Sequence, residues 1–202
     1  MDESKLVNAK KLIGGGDFDS VNLNGVDLSD KNYPGIIFTN AKLKKAKLKG
    51  AILVAAFFDG ADLEEADLSD AKLGGVSLFQ AKLQGAKLKY ASLDLADLEE
   101  ADLKDADLTG ATLKGASLEK ADLSGVKLDG AFVNENTNLK GADLTDADFT
   151  GVEMVGKPQM DEDTKMDGMK CPDGSDAKTV EELEDPADDR CDWSVTSFDG
   201  PN

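Results

Sequence analysis

Between Phe18 and Met154 a large apolar residue returns every five positions, with a small residue two places before it. The unit is A-(D/K/S/T)-L-x-x, as in Ala61-Asp62-Leu63-Glu64-Glu65, Ala66-Asp67-Leu68-Ser69-Asp70 and Ala101-Asp102-Leu103-Lys104-Asp105. A period of five matches neither the 3.6 of a helix nor the plain 2 of a long strand, so something must reset the phase after each short extended piece. Ala and Leu, two apart, point to one side of that piece and the residue between them to the other. The last two positions form a corner. Gly often fills the second of them, at Gly25, Gly35, Gly50, Gly60, Gly85, Gly110, Gly115, Gly125 and Gly130, as suits a bend.

Central residues taken in fives from Phe18 to Val133 make 24 units. Leu139, Leu144, Phe149 and Met154 add four more after one slip, because Val133 and Leu139 are six apart across Asn134-Glu135-Asn136-Thr137-Asn138. The slip reads as a one-residue bulge that the array tolerates.

This pattern resembles the pentapeptide-repeat family over about two thirds of the chain. The resemblance implies an all-β solenoid: a right-handed, four-sided β-helix in which four units make one coil. The sequence tests that number. At a period of 20 the central aromatics Phe18, Phe38 and Phe58 fall in one column. The outward residues Asp27, Lys47, Asp67, Lys87, Asp107 and Lys127 alternate in sign, as do Lys42, Asp62, Lys82 and Asp102 on the neighbouring face. A period of 15 gives no such alternation, so four sides are expected. The predicted rod has about seven coils at roughly 4.8 Å each, about 34 Å in all, with a core of Leu, Phe and Ala too narrow for a ligand.

Formal net charge is -18, from 41 acidic and 23 basic residues, and His is absent. Direct nucleic-acid binding is not expected, since phosphate contact needs a positive surface. The charge is uneven: residues 1–16 carry two acids and three bases, 17–156 carry 25 and 15, and 157–202 carry 14 and 5. No stretch approaches 18 consecutive apolar residues, so no membrane span is expected, and no signal peptide is visible. Peripheral membrane association and oligomeric state are left open.

Three segments follow. Residues 1–16 are expected to form a short helix, with Ser4 as N-cap and Gly14 as stop, that covers the open edge of the first coil. Residues 17–156 form the β-helix. Residues 157–202 leave the repeat for an irregular course through Pro158, Gly168, Pro172, Gly174 and Pro186, with one short helix opened by a capping box of Thr179 and Glu182. That acidic segment holds the only cysteines, Cys171 and Cys191, which either pair in a disulfide or stand as two buried thiols. Trp193 and Phe198 are candidate plugs for the last coil. Asp161, Asp163 and Asp167 lack the spacing and the closing Glu of a calcium loop. No metal or other cofactor is expected.

Two outward groups stand apart. Lys42, Lys44, Lys45, Lys47 and Lys49 are the one basic cluster. They are either solvated corner residues paired with Asp62, Glu64 and Asp67 on the next coil, or a docking spot for an acidic partner or the chain's own tail. Ile52, Val54 and Phe57 point outward by phase, Ile37 shares the column of Phe57, and Phe79 sits at a corner of the following coil. An apolar group on the side of a rod is expected to be covered, here by a partner protein or by the tail.

No catalytic set is present: neither Cys has a base partner, no Gly-rich phosphate loop follows a strand, and the acids are serial and exposed rather than placed in unequal surroundings. The expected function is therefore a non-enzymatic interaction or assembly scaffold docking on a protein or multi-subunit complex. The chain resembles lumenal family members of plant and algal thylakoids, which implies a photosynthetic complex and the thylakoid lumen, a space that suits a disulfide; cytoplasm or another oxidising compartment is the alternative. The second class is an acidic DNA mimic: quinolone-resistance members of the family resemble a B-DNA duplex and occupy the DNA saddle of gyrase.

Overall fold

The computed structural model describes residues 16–177 and Cys191; the expected helices within 1–16 and after Thr179, and Trp193 and Phe198, lie outside the described residues. The reset of phase is visible at the corners of the five-residue units, where the second residue has positive φ, whether it is Gly25 at 66° or a side-chain-bearing residue such as Glu65 at 56°. Each unit is therefore one short extended piece and one turn. The N–H of the small residue closes the turn on the preceding central carbonyl, as from Ala66 to Leu63 at 2.9 Å.

Successive coils pair in parallel. The central N–H donates forward, Leu63 to Lys82 O at 2.7 Å, and the outward N–H donates back, Asp62 to Ala41 O at 2.9 Å. The bridges join residues 20 apart, starting from Asp17, Asn22, Asp27 and Asn32 to Ile37, Lys42, Lys47 and Ile52, so four columns run along the rod as expected. We number the faces one to four in that order. Phe18, Phe38 and Phe58 stack inside face one with ring centroids 5.6 and 5.1 Å apart, and their side chains are fully buried. Ala and Leu fill the remaining interior.

After Val133 the spacing becomes 21, with Ser117 bridged to Asn138. Strands β1 (Phe132–Asn134) and β2 (Glu153–Val155) pair in the same parallel sense. The extra residue is absorbed in the corner. Thr137, fully buried, donates through Oγ1 to Leu113 O at 2.8 Å and accepts from the Asn134 N–H at 3.1 Å. The same device recurs. Thr164 Oγ1 donates to Leu139 O and accepts from the Asp161 N–H, both at 3.1 Å. Asn134 Oδ1 takes the Gly115 N–H at 3.0 Å, and Asp161 Oδ1 takes that of Gly141 at 2.9 Å. The sequences Asn134-Glu135-Asn136-Thr137 and Asp161-Glu162-Asp163-Thr164 are two copies of one corner, each within a six-residue step of the core, from Val133 to Leu139 and from Met160 to Met166.

The parallel ladder accordingly runs past residue 156, where a strict count of five ends it. Gln159, Lys165 and Lys170 bridge back to Asn138, Asp143 and Asp148, and Cys171 takes the central position after Phe149 on face three, fully buried. The irregular course expected from residue 157 starts instead beyond Cys171. There the chain reverses: the Cys171 N–H donates to Ser175 O at 2.7 Å, and Asp176 pairs antiparallel with Lys170. Cys171 is disulfide-bonded to Cys191, with Cα atoms 5.5 Å apart.

Replacing Thr137 with Val keeps the shape of the side chain but takes the donor from Leu113 O and the acceptor from the half-buried Asn134 N–H. It is expected to cost about 1–3 kcal/mol, whereas Thr137→Ser, which keeps the hydroxyl, costs less. Urea unfolding of both variants measures the difference.

Candidate docking surface

In a regular interior unit such as residues 61–65, four of the five N–H groups go to backbone carbonyls, one in the turn and three in the ladder. The first corner N–H is left over, and the outward Asp or Asn accepts it: Asp27 from Ser29 at 3.2 Å, Asp67 from Ser69 at 3.1 Å, Asp122 from Ser124 at 2.9 Å and Asp143 from Thr145 at 3.1 Å. Much of the acidic composition therefore does local backbone work.

The outward columns divide the rod into two sides. On face two every outward residue from Lys42 to Lys165 is charged, and on face three every one from Asp27 to Lys170. The alternation expected on face three continues through Asp148, Lys170 and Asp176. Faces one and four are different: their outward charges are Asp17, Asp97, Lys72 and Glu153 among the described residues.

Four lysines of the basic cluster form ion pairs. Lys44 pairs with Asp62 at 3.6 Å and with Glu64, Lys45 with Glu65 at 3.2 Å, and Lys49 with Asp70 at 3.6 Å. Lys47 turns back to Asp27 on the preceding coil, at 3.6 Å, rather than forward to Asp67. The lysines are exposed and Asp62 is half-buried, and each such pair contributes at most about 1 kcal/mol.

The apolar outward residues sit on the weakly charged side. Ile37 bridges Phe57 on face one; Ile37 is half-buried and Phe57 is 46% exposed. Ile52, half-buried, lies on face four, and Val54, 41% exposed, on the corner between the two faces. Phe79, half-buried, lies on the opposite edge of face one, past Leu78. Leu95, 73% exposed, Val155 and Tyr90 also stand out. Leu95 and Val155 share the corner of Val54, while Tyr90 marks the far edge of face four. A side chain on Gly110 would collide with the Tyr90 ring, and one on Gly115 would meet Leu95 at 3.0 Å, so both lie across glycines of the next coil. Phe132 points outward yet is buried, with the Lys114 amine 4.4 Å from its ring centre. The readable signal for these residues was an apolar side chain at a corner or outward position, followed along the column rather than along the chain.

Among the described residues the interior is filled by side chains. A gap lined by Leu113, Leu118, Leu128, Thr137 and Phe149 has a volume of about 10 Å³, room for one water at most. A shallow hollow of about 430 Å³ on face two and its corner with face three is lined by Lys104, Asp105, Asp122, Ser124, Asp143 and Asp146, and no group fit to hold a metal ion occurs among the described residues.

The chain matches the family model for pentapeptide repeats, eight copies, over residues 17–53, 41–78, 77–115, 96–134 and 135–156. It belongs to the pentapeptide-repeat family. Members fold as right-handed β-helices, as this chain does. Similar solved structures include Rfr23 from the cyanobacterium Cyanothece 51142, 27% identical, covering 65% of this chain and 97% of that one with a TM-score of 0.41. HetL from Nostoc sp. strain PCC 7120, a protein involved in heterocyst differentiation regulation, is 26% identical over 87% and 99%, TM-score 0.38. A pentapeptide repeat protein of the Arabidopsis thaliana thylakoid lumen is 31% identical over 66% and 71%, TM-score 0.28. No curated protein matches the chain. No helix among the described residues is long and apolar enough to cross a membrane.

Corner contacts also set the acid response. The Gly141 N–H, and next the Thr164 hydroxyl, hold the Asp161 carboxyl below the usual carboxylate range. Burial pushes Asp143 up, but Lys165 and Thr145 outweigh it and leave it lowered. A carboxyl lowered by folding contributes stability that is full above its unfolded value, about 4, and is lost as pH falls through the folded value. Relief of the net negative charge acts in the opposite direction, so the local effect is read as a difference between variants. Asp161→Asn, which copies Asn134, is expected to change the melting temperature little at pH 7 and to lose less stability than the natural chain below about pH 4, measured by thermal melts across pH.

Proposed function

We propose that this chain is a non-enzymatic docking rod of about seven coils that binds a partner protein or a multi-subunit complex, with a photosynthetic thylakoid assembly as the target. The observation that carries it is the sidedness of the rod. Phe57 and Val54 are exposed beside Ile37 and Ile52 on the side whose outward positions carry few charges, and an exposed apolar group of this kind marks an interaction surface. The interior is packed with side chains, so binding falls to the outside. The segment from Cys171 to Asp176 would close the last coil, its reversal leaving no parallel edge on face three.

The Cys171–Cys191 disulfide supports an oxidising compartment, and the thylakoid lumen is the one we propose. DNA mimicry is the weaker reading. Lysines interrupt the acids at every second rung of face three, and many of the acids are held by their own corners.

Ile37→Ser with Phe57→Ser is expected to leave the circular dichroism and melting of the rod unchanged and to abolish recovery of the native complex. Unchanged recovery removes this surface. In a gyrase supercoiling assay no effect is expected at high protein concentration, and inhibition or protection would turn the assignment to mimicry. Thiol titration of the natural protein, unfolded without reductant, is expected to find no free thiol; two would place the chain in a reducing compartment.

A further inference from the structure

The apolar residues do not lie on one flat face. They straddle an edge: Ile52 on face four, Ile37 and Phe57 on face one, and Val54, Leu95 and Val155 along the corner between them. Four faces close each turn, so adjacent faces meet near a right angle. A flat surface touches one of them or the edge, never both. The column of face one from Asp17 to Gln159 spans seven rung intervals of about 4.8 Å, or roughly 34 Å, and three extended residues make a face about 10 Å wide. One face thus offers on the order of 340 Å² and two about 680 Å². Doubling for the partner gives about 680 Å² for a one-face contact, the size of casual crystal packing, and about 1,360 Å² for a two-face contact, within the range of stable complexes.

On the proposed reading of this chain as a protein-docking rod, we infer that the partner is a protein with a concave, apolar, L-shaped groove that takes the edge between faces four and one, with both faces against its walls. A second copy of this rod is convex and a lipid surface is flat, so neither covers both walls. The groove is apolar where it meets Ile37, Ile52, Val54, Phe57 and Leu95 and offers polar or opposite-charge partners to Asp94, Lys114 and Glu135 on the same edge, while faces two and three, charged at every outward position from Lys42 and Asp27 on, stay in water. Tyr90 and Leu95, laid over Gly110 and Gly115, add apolar contact far from Phe57, so the contact extends along the rod rather than ending at the Ile37–Phe57 pair.

The test places the photo-crosslinker p-benzoylphenylalanine at Ile52, Leu95, Phe57 or, as a control on face three, Lys87, in the full chain, irradiated in extract of the source cells. The inference expects one adduct mass shared by positions 52, 95 and 57, and at least a tenfold lower yield at 87. Leu95→Asp is expected to reduce the adduct formed from position 57 at least tenfold with the melting temperature kept. Adducts from position 57 without 52, or from 52 without 57, overturn the groove and leave the docking rod standing. An adduct of twice the 21.3 kDa chain identifies a second copy, and flotation with phosphatidylcholine and phosphatidylglycerol vesicles identifies a lipid surface; either overturns the groove. No protein adduct from any position overturns the docking rod as well.

Discussion

Everything in this molecule hangs on the parallel ladder between coils. A central N–H donates forward and an outward N–H donates back, at each of four places per turn, so residues are locked 20 positions apart up to the Thr112–Phe132 rung and 21 or 22 apart beyond it. The lock makes columns, and columns give each position a neighbour of its own kind. Aromatics stack on aromatics at Phe18, Phe38 and Phe58, and Asp follows Lys along face three. The interior is then a repeated cross-section of Ala and Leu that no single coil could bury alone, which is why stacking and folding are one event.

The ladder also explains the charge. With four N–H groups of each unit given to backbone carbonyls, the fifth wants a side-chain acceptor, and a short carboxylate or amide one residue before the centre reaches it. A long acidic rod follows from local hydrogen bonding. Negative charge here is weak evidence about a partner, and the distribution of charge is stronger evidence than its sum. At the outward positions two faces carry most of it, and the other two hold mainly apolar and small polar side chains beside Asp17, Lys72, Asp97 and Glu153; the corners carry the rest.

Insertions show how strong the lock is. In a plain strand one extra residue would turn every following side chain inside out. Here the extra residue stays in the corner, where a buried Thr hydroxyl stands in for the displaced backbone partners at Thr137 and again at Thr164. Phase is restored at once, so Leu139, Leu144 and Phe149 are core residues and Asp148 still meets Lys170.

The five-residue period, the four columns and the aromatic stack were legible in the sequence because each is a repeat of local geometry, and local geometry needs only neighbours in the chain. The slip after Val133 was legible as a count. Its mechanism was not, since Thr137 works on Leu113, a coil away, and its second copy at Asp161 looked like a failed calcium loop for the same reason. The end of the rod was misplaced at residue 156 because Met160, Met166 and Cys171 resume the core only after six-residue steps. Ile37, Ile52, Val54 and Phe57 could be named from phase alone, whereas Leu95 and Val155 join them only along a shared edge. Sequence by itself determined the rod, because a side chain's inward or outward direction is set within its own unit. Only the tertiary structure decided which outward residues make one surface, because surface adjacency runs across coils, between residues 20 or more positions apart.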